Sequence, residues 1–233
     1  MILHMLLRLS TESCHPNFRD LRGDLVKILV LGAAGGVGRH VVQQALARGH
    51  TVTAFVRNAA GVALDGVKVV VGDVLDDHAL SNGVSGQDAV VYAIGEKSRR
   101  PTKLFSQSTR LLLAAMEQQR VKRLVCITGI GVGETKGHGG FIYDHLIFPL
   151  FTKNRYADKE LQEQMIRQSS ADWTIVRPAP FSEAKPHGDF RAVTEIGNVV
   201  LRKVSRAEVA SFVLDELETG RYLRQTPFIG HEN

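Results

Sequence analysis

Apolar positions in this 233-residue chain fall into short runs that alternate with helical stripes. Runs rich in β-branched residues predict strands, and apolar residues spaced three and four apart predict helices between them. Strands are predicted at 27–31, 51–56, 67–71, 89–93, 123–127 and 173–177, and helices at about 37–48, 76–81, 104–119 and 156–169. This alternation is typical of a parallel, doubly wound α/β sheet of the Rossmann type.

Glycines follow the first predicted strand, where the chain turns into a helix. They stand in a GxxGxxG spacing directly after the apolar run 27–31. Glycines in such a turn let the backbone approach a diphosphate, while the helix N-terminus offers free N–H groups and the positive end of its dipole. A surface turn without a ligand is the alternative. The predicted dinucleotide contacts are Gly32, Ala34, Gly35, Gly36, Val37 and Gly38.

The end of the second predicted strand indicates which dinucleotide is bound. A site specific for NAD carries Asp or Glu about 20 residues after the glycines, where the carboxylate holds the ribose hydroxyls. Here the strand ends in Val56, Arg57 and Asn58. A guanidinium pairs with a 2′-phosphate, and no carboxylate is present to repel it. The sequence thus predicts NADP, with NADPH preferred over NADH; a solvated strand end is the alternative for Arg57.

The remaining pattern predicts one domain. Residues 1–24 are expected to form an N-terminal extension, and residues 25–233 a single NAD(P)-binding domain with a small C-terminal substrate lobe. In that lobe we predict a short strand at 199–204, a helix that begins in a capping box at Ser205, and a last strand at 227–230.

Composition and charge exclude several classes of protein. The 29 Lys and Arg outnumber the 24 Asp and Glu by 5, but the basic residues are scattered without interleaved aromatic residues, so nucleic-acid binding is not expected. No apolar run is long enough to span a bilayer and no signal-peptide pattern opens the chain, which predicts a cytoplasmic protein without a membrane partner. Cys14 and Cys126 lack metal-ligand spacing, so no metal site is predicted.

Further short motifs follow the later strands in a fixed order, at 72–74, 92–95, 157–161 and 169–178. With the glycine turn and Arg57 they span about residues 25–230. In this combination the chain resembles the atypical short-chain dehydrogenases/reductases, in the NmrA-like or NAD(P)H-binding subgroup that includes the flavin reductase biliverdin reductase B. The resemblance implies a Rossmann-like fold and NAD(P)-dependent reduction.

The resemblance also implies roles for single residues. Asp73 and Val74 would flank the adenine, and Thr128 would orient a substrate carbonyl or the nicotinamide amide. A turn role for Asp73 and a strand-end role for Thr128 stay open as alternatives. The other cofactor contacts implied in this way are Ala93, Ile94, Gly95, Lys159 and Pro178.

The catalytic pair of the wider superfamily is out of register here. Those enzymes use YxxxK, in which the tyrosine donates a proton and the lysine lowers its pKa. Neither Tyr143 nor Tyr156 has a lysine four residues on, but Lys159 stands three residues after Tyr156, and such a pair can share a helix face. Lys159 is therefore predicted to contact the ribose, with Tyr156 as a candidate acid. A surface ion pair between Lys159 and Glu163 is the alternative.

A glycine-rich segment with aromatic residues, 129–153, follows the fifth predicted strand. The carboxyl end of such a strand is where a substrate loop is expected. Its aromatic residues suit a flat, conjugated ligand. Tyr143 and His145 in this segment are alternative proton donors.

These observations favour an NADPH-dependent reductase of a small planar or carbonyl substrate, such as a flavin or quinone, for which solvent can supply the proton. The resemblance also leaves open an NADP-binding redox sensor of the NmrA type that does not turn over. A nucleotide-sugar epimerase is a third reading, disfavoured by the short C-terminal part and the missing pair. The expected partner is a small-molecule substrate, and the expected state is a monomer or homodimer.

Overall fold

Strands and helices alternate along the part of the chain that the computed structural model describes, namely residues 23–59, 66–96, 102–129, 153–183, 189–195, 197 and 199–232. Side chains of the fourth helix are described from residue 157 onward. The elements are β1 (Lys27–Leu31), α1 (Gly38–Ala47), β2 (Thr51–Val56), β3 (Val67–Val71), α2 (Asp77–Val84), β4 (Ala89–Tyr92), α3 (Leu104–Gln118), β5 (Arg123–Ile127), α4 (Lys153–Gln168), β6 (Asp172–Pro178), β7 (Asp189–Val193), α5 (Arg206–Thr219) and β8 (Phe228–Glu232).

The described strands form one sheet in the order β3-β2-β1-β4-β5-β6-β8-β7. All neighbours are parallel except β7, which runs antiparallel to β8 at the edge. The chain moves outward from β1 to β3 and then returns to β4 on the other side of β1. Ligands of such sheets bind beyond the carboxyl ends of the strands at this reversal point. The predicted doubly wound fold is confirmed.

Helices cover both faces of the sheet, which explains the uninterrupted apolar runs of its central strands. In β1, Ile28 and Val30 pack with α1 and α5. Leu29 and Leu31 point to the other face and pack with α2, α3 and α4. The four residues are fully buried. This packing fixes where the end of β1 delivers the glycine turn.

The predictions for the C-terminal part were partly wrong. Residues 199–204 do not form a strand, because they pair only through isolated bridges of Val204 with Phe181 and of Arg202 with His231. Strand β7 was not predicted. The capping box at Ser205 is present: its hydroxyl accepts from the N–H of Glu208 at 3.2 Å, and the Glu208 carboxylate accepts from the N–H of Ser205 at 2.9 Å.

Two expectations from the sequence concern the N-terminal extension and membrane-spanning helices. The predicted N-terminal extension, 1–24, lies outside the described residues except for its last two. Among the described helices, none combines the length and the apolar character that crossing a membrane requires.

Candidate functional site

The turn between β1 and α1 has glycine where the backbone is too close for a side chain. Gly32 has φ +81°, and a Cβ there would lie 2.7 Å from the carbonyl oxygen of Ala93, beyond the end of β4. A Cβ on Gly38 would collide with the carbonyl oxygen of Gly32. The N–H of Gly35 donates to that same oxygen at 2.8 Å. The turn is therefore compact and lies directly against the neighbouring strand end.

This turn leaves backbone donors available at the start of α1. The helix has no side-chain cap and no acidic residue in its first turn. The N–H groups of Gly36 and Val37 donate to no other described residue, and both Ala34 and Gly36 are exposed. Free N–H groups at the positive end of a helix dipole form an anion site. A diphosphate fits here, where any Cβ on Gly32 or Gly38 would deform the turn.

Neighbouring strand ends bring the other predicted cofactor contacts to the same edge. The backbone of Ala93 and Ile94 lies against Gly32, and Gly95 beyond it is exposed. Arg57 follows β2 and is also exposed. Pro178 ends β6 and is buried beside Ile229 of β8.

Asp73 shapes the turn that follows β3. One of its carboxylate oxygens accepts from the N–H of Leu75 at 2.9 Å, and its carbonyl accepts from the N–H of Asp76 at 3.0 Å. Val74 beside it is buried, with 8% exposed. The turn role considered for Asp73 is thus present, at the carboxyl edge where an adenine contact is predicted.

Thr128 and Lys159 meet, although not through the threonine hydroxyl. The Lys159 ammonium donates to the Thr128 carbonyl oxygen at 2.5 Å and lies 5.0 Å from the centre of the Phe105 ring. The Thr128 hydroxyl donates instead to the Glu163 carboxylate at 2.7 Å. With its proton directed to Glu163, this hydroxyl can accept a hydrogen bond but cannot donate one to a substrate carbonyl.

A buried ion pair behind Thr128 was missed by the sequence analysis. Arg177 of β6 donates to both carboxylate oxygens of Glu163, at 3.1 and 2.6 Å. The two side chains are only 2% and 4% exposed. Arg177 was itself the available signal, since a charge within an apolar strand needs a buried partner. The pair fixes Thr128 at the end of β5.

Asp158 was also missed, and it joins α4 to the start of α3. Its buried carboxylate accepts from the N–H of Phe105 at 2.8 Å and of Ser106 at 3.3 Å. It also accepts from the Ser106 hydroxyl. The residue before α3, Lys103, provides no side-chain cap. Asp158 therefore caps α3 from a different helix and sets the position of Lys159.

Of the four tyrosines, Tyr92 and Tyr222 have described side chains, and Tyr222 is only partly buried. Tyr92 is buried and its hydroxyl lies 2.7 Å from that of Ser108. Burial raises the pKa of Tyr92 well above its ordinary value, although the bond to Ser108 opposes the shift. Tyr143 and His145 lie outside the described residues, and so does the side chain of Tyr156. Since α4 begins at Lys153, Tyr156 and Lys159 do stand one turn apart on the same helix.

Comparison with known proteins gives one family and several relatives. Residues 32–219 match a family model described as NAD(P)H-binding. The chain is 31% identical to the uncharacterized protein YwnB of Bacillus subtilis over 208 residues, which cover 83% of this chain and 92% of YwnB.

Solved structures share the fold at lower identity. One is ChuY, an anaerobillin reductase from Escherichia coli O157:H7, with a TM-score of 0.73 and 21% identity over 89% of this chain and 98% of that one. Another is a short-chain dehydrogenase/reductase from Veillonella parvula in complex with NADP, with a TM-score of 0.76 and 16% identity over 89% and 95% of the two chains.

Proposed function

Because this chain belongs to the NAD(P)H-binding family, within the atypical short-chain dehydrogenases/reductases, we propose that it is an NADPH-dependent reductase of a small planar or carbonyl substrate. One observation carries the proposal. An uncapped glycine turn with available N–H groups lies at the reversal point of the sheet. The fold it shares with an anaerobillin reductase supports a flat, conjugated substrate such as a flavin or quinone.

Different parts of the dinucleotide would be bound by residues at the ends of different strands. The glycine turn would hold the diphosphate with the N–H groups of Gly36 and Val37. The exposed guanidinium of Arg57 would pair with the 2′-phosphate, which accounts for a preference for NADPH. The small residues 93–95 would let the backbone pass under the ribose. When bound, the nicotinamide supplies a hydride for the substrate.

The end of β5 would position the nicotinamide half. Lys159 would donate to the ribose hydroxyls, while its bond to the Thr128 carbonyl fixes the ammonium. The Thr128 hydroxyl would accept from the carboxamide N–H, because its own proton goes to Glu163. The described side chains around Thr128 thus offer no tyrosine acid. A flavin or quinone acceptor needs none, since solvent can supply the proton.

A redox sensor that binds NADP without turnover is the second candidate. The geometry of Thr128 favours it, because a hydroxyl that donates to a buried carboxylate cannot polarise a substrate carbonyl. A sensor would bind the dinucleotide and leave flavins, quinones and dicarbonyls unreduced. Turnover therefore separates the two candidates.

The test combines binding with turnover. Titration calorimetry should give a lower Kd for NADPH than for NADH. Arg57→Ala should raise the Kd for NADPH about tenfold or more, because a charge-assisted bond is lost, and leave the Kd for NADH nearly unchanged. NADPH consumption in the presence of FMN or menadione, followed by absorbance, should then show steady turnover.

Arg110→Ala is the matched control, since Arg110 is an exposed arginine on α3. It should change neither Kd. Equal or tighter binding of NADH by the unaltered protein contradicts the NADPH preference. Binding of NADPH without consumption with any acceptor favours the sensor over the reductase.

A further inference from the structure

Arg206, the first residue of α5, lies on the outer side of the glycine turn. A Cβ built on Gly36 would be 2.7 Å from Arg206 Nε and 3.0 Å from its Cδ. Gly36 itself is exposed, so the arginine side chain crosses the face of the turn that is open to solvent. It therefore brings a guanidinium next to the available N–H groups of Gly36 and Val37.

The backbone on both sides of Arg206 is well fixed. The capping box of Ser205 and Glu208 starts α5 at this point. Just before it, Val204 exchanges backbone hydrogen bonds with the segment that follows β6: its N–H donates to Pro180 at 3.1 Å, and its carbonyl accepts from Ser182 at 3.0 Å. The position of the guanidinium thus follows from α5 and from the end of β6.

Among the described residues, the partners of the guanidinium are surface groups. It lies 4.8 Å from the centre of the Phe181 ring and pairs with the carboxylate of Glu183. The Arg206 side chain is 30% exposed and that of Glu183 is 82% exposed. Exposed ion pairs of this kind are weak. An anion with better geometry can replace Glu183 without breaking any buried contact.

We propose that Arg206 is a phosphate-binding residue of this site, which exchanges Glu183 for the cofactor's diphosphate. The inference rests on the proposed function, since it requires a bound dinucleotide. A planar guanidinium binds phosphate oxygens through two parallel hydrogen bonds. The diphosphate also carries more negative charge than the single carboxylate of the solvent-exposed Glu183 side chain, so it should compete successfully for Arg206. The stacking on Phe181 would keep the guanidinium plane oriented during the exchange.

The position of Arg206 indicates the diphosphate rather than the 2′-phosphate. Arg206 stacks on Phe181 and pairs with Glu183, which follow β6 on one side of β1, whereas Arg57 follows β2 on the other side. Arg206 therefore approaches the glycine turn from the side opposite to the predicted 2′-phosphate contact. Its contribution would be shared by every ligand that carries the diphosphate.

The local charge agrees with an anion site. His40, in the first turn of α1, has a lowered pKa, because of burial first and then because of the positive charges of Arg39 and Arg206. Arg39 and Arg206 therefore both place positive charge near this end of α1, which would attract a diphosphate.

The experiment compares three ligands by titration calorimetry: NADPH, NADH and ADP-ribose, all of which contain the diphosphate. Arg206→Ala should raise the Kd of all three by a similar factor, about tenfold to a hundredfold. Arg57→Ala, in contrast, should affect NADPH alone. Thermal unfolding of the ligand-free variants shows whether each is folded.

Glu183→Gln separates a binding role from a structural one. It removes the competing carboxylate but keeps the shape of the side chain, so it should lower the Kd of all three ligands. If Arg206 only held the segment after β6 through Glu183, both variants would raise the Kd alike, and the inference would be overturned. An unchanged Kd in Arg206→Ala also overturns it. Failure of the unaltered protein to bind any of the three ligands would instead refute the proposed function on which it rests.

Discussion

The position of the Lys159 ammonium is fixed by a residue that is distant in sequence, Thr128. Lys159 stands one turn before Glu163 on α4, and an ion pair of the two was an alternative from sequence. Instead Glu163 is bound by Arg177 at 2.6 Å, and the ammonium of Lys159 donates to the Thr128 carbonyl at 2.5 Å. An ammonium has three N–H donors. The observed bond is therefore compatible with the predicted contact to a ribose hydroxyl.

Lys159→Met should weaken NADPH binding and lower stability moderately. The loss of one charge-assisted hydrogen bond to the ligand predicts a Kd about tenfold higher. The free energy of unfolding should fall by about 1–2 kcal/mol, because methionine keeps an apolar stem against Phe105 but loses the bond to the Thr128 carbonyl. Calorimetric titration and urea unfolding measure the two quantities.

Lys122→Met is the matched control for this change. Lys122 is exposed and directly precedes β5. It therefore lies at the amino-terminal ends of the strands, away from the glycine turn at their carboxyl ends, and its replacement should leave the Kd unchanged. A Lys159 variant that unfolds more easily yet binds NADPH as before would show that the lysine is structural only.

The placement of the candidate site residues could be predicted from sequence where their spacing is local. The glycine turn and Arg57 lie within one βαβ unit, so their arrangement follows from one helix and two strands. Glu163 and Arg177 are 14 residues apart and on different elements, and Asp158 reaches a helix that begins 54 residues earlier, at Leu104. No local sequence pattern predicts such pairings. Arg177, as a lone arginine in an apolar strand, indicates only that a buried partner must exist.

At the scale of elements, the start of α3 depends on a carboxylate from α4. Asp158→Asn removes the negative charge that accepts from the N–H groups of Phe105 and Ser106. The free energy of unfolding should fall by about 1–2 kcal/mol, as for the loss of a helix cap with charged acceptors. Urea unfolding measures the change, and a reduced amide hydrogen-exchange protection in the first turn of α3 should accompany it.

Glu117→Gln is the control, because Glu117 lies on α3, the helix that Asp158 caps. Glu117 is exposed near the C-terminal end of α3, where a negative charge is slightly unfavourable, so its neutralisation should not destabilise the protein. A similar loss in both variants would mean that general charge, rather than the cap, accounts for the Asp158 effect.

Elements were predicted well where burial produces a clear pattern and poorly where it does not. The central strands are buried on both faces and appear as apolar runs. Strand β7 lies at the sheet edge with mostly exposed residues, so its sequence lacks the alternation that marks a strand. Residues 199–204 have β-branched members, but they run between two segments and meet each at a single bridge. Propensity alone could not distinguish the two cases.

At the scale of the whole molecule, α5 connects the C-terminal part to the first βαβ unit at both of its ends. Near its start, the side chain of Gln44 on α1 donates to the Ala207 carbonyl at 2.9 Å. Near its end, Glu218 accepts from Arg48 and contacts His50, each at 3.0 Å. Since α5 also carries Arg206, these contacts determine how the C-terminal part meets the glycine turn.

The contact at Glu218 makes stability depend on pH in a predictable direction. Burial alone would raise the pKa of Glu218, but hydrogen bonds from His50 and Arg48 lower it below its ordinary value of 4.5. A carboxyl group with a lowered pKa in the folded state contributes stability above the unfolded pKa, and this contribution disappears as the pH falls through the folded value.

Glu218→Gln should therefore destabilise the protein by about 1 kcal/mol at pH 7, and the difference from the unaltered protein should shrink below about pH 4.5 until both unfold alike. Urea unfolding at a series of pH values measures this difference. Glu117→Gln, an exposed carboxylate changed in the same way, should show no such convergence. If the difference for Glu218→Gln stayed constant down to acid pH, the ionised carboxylate would not be the group that holds α5 to the turn between α1 and β2.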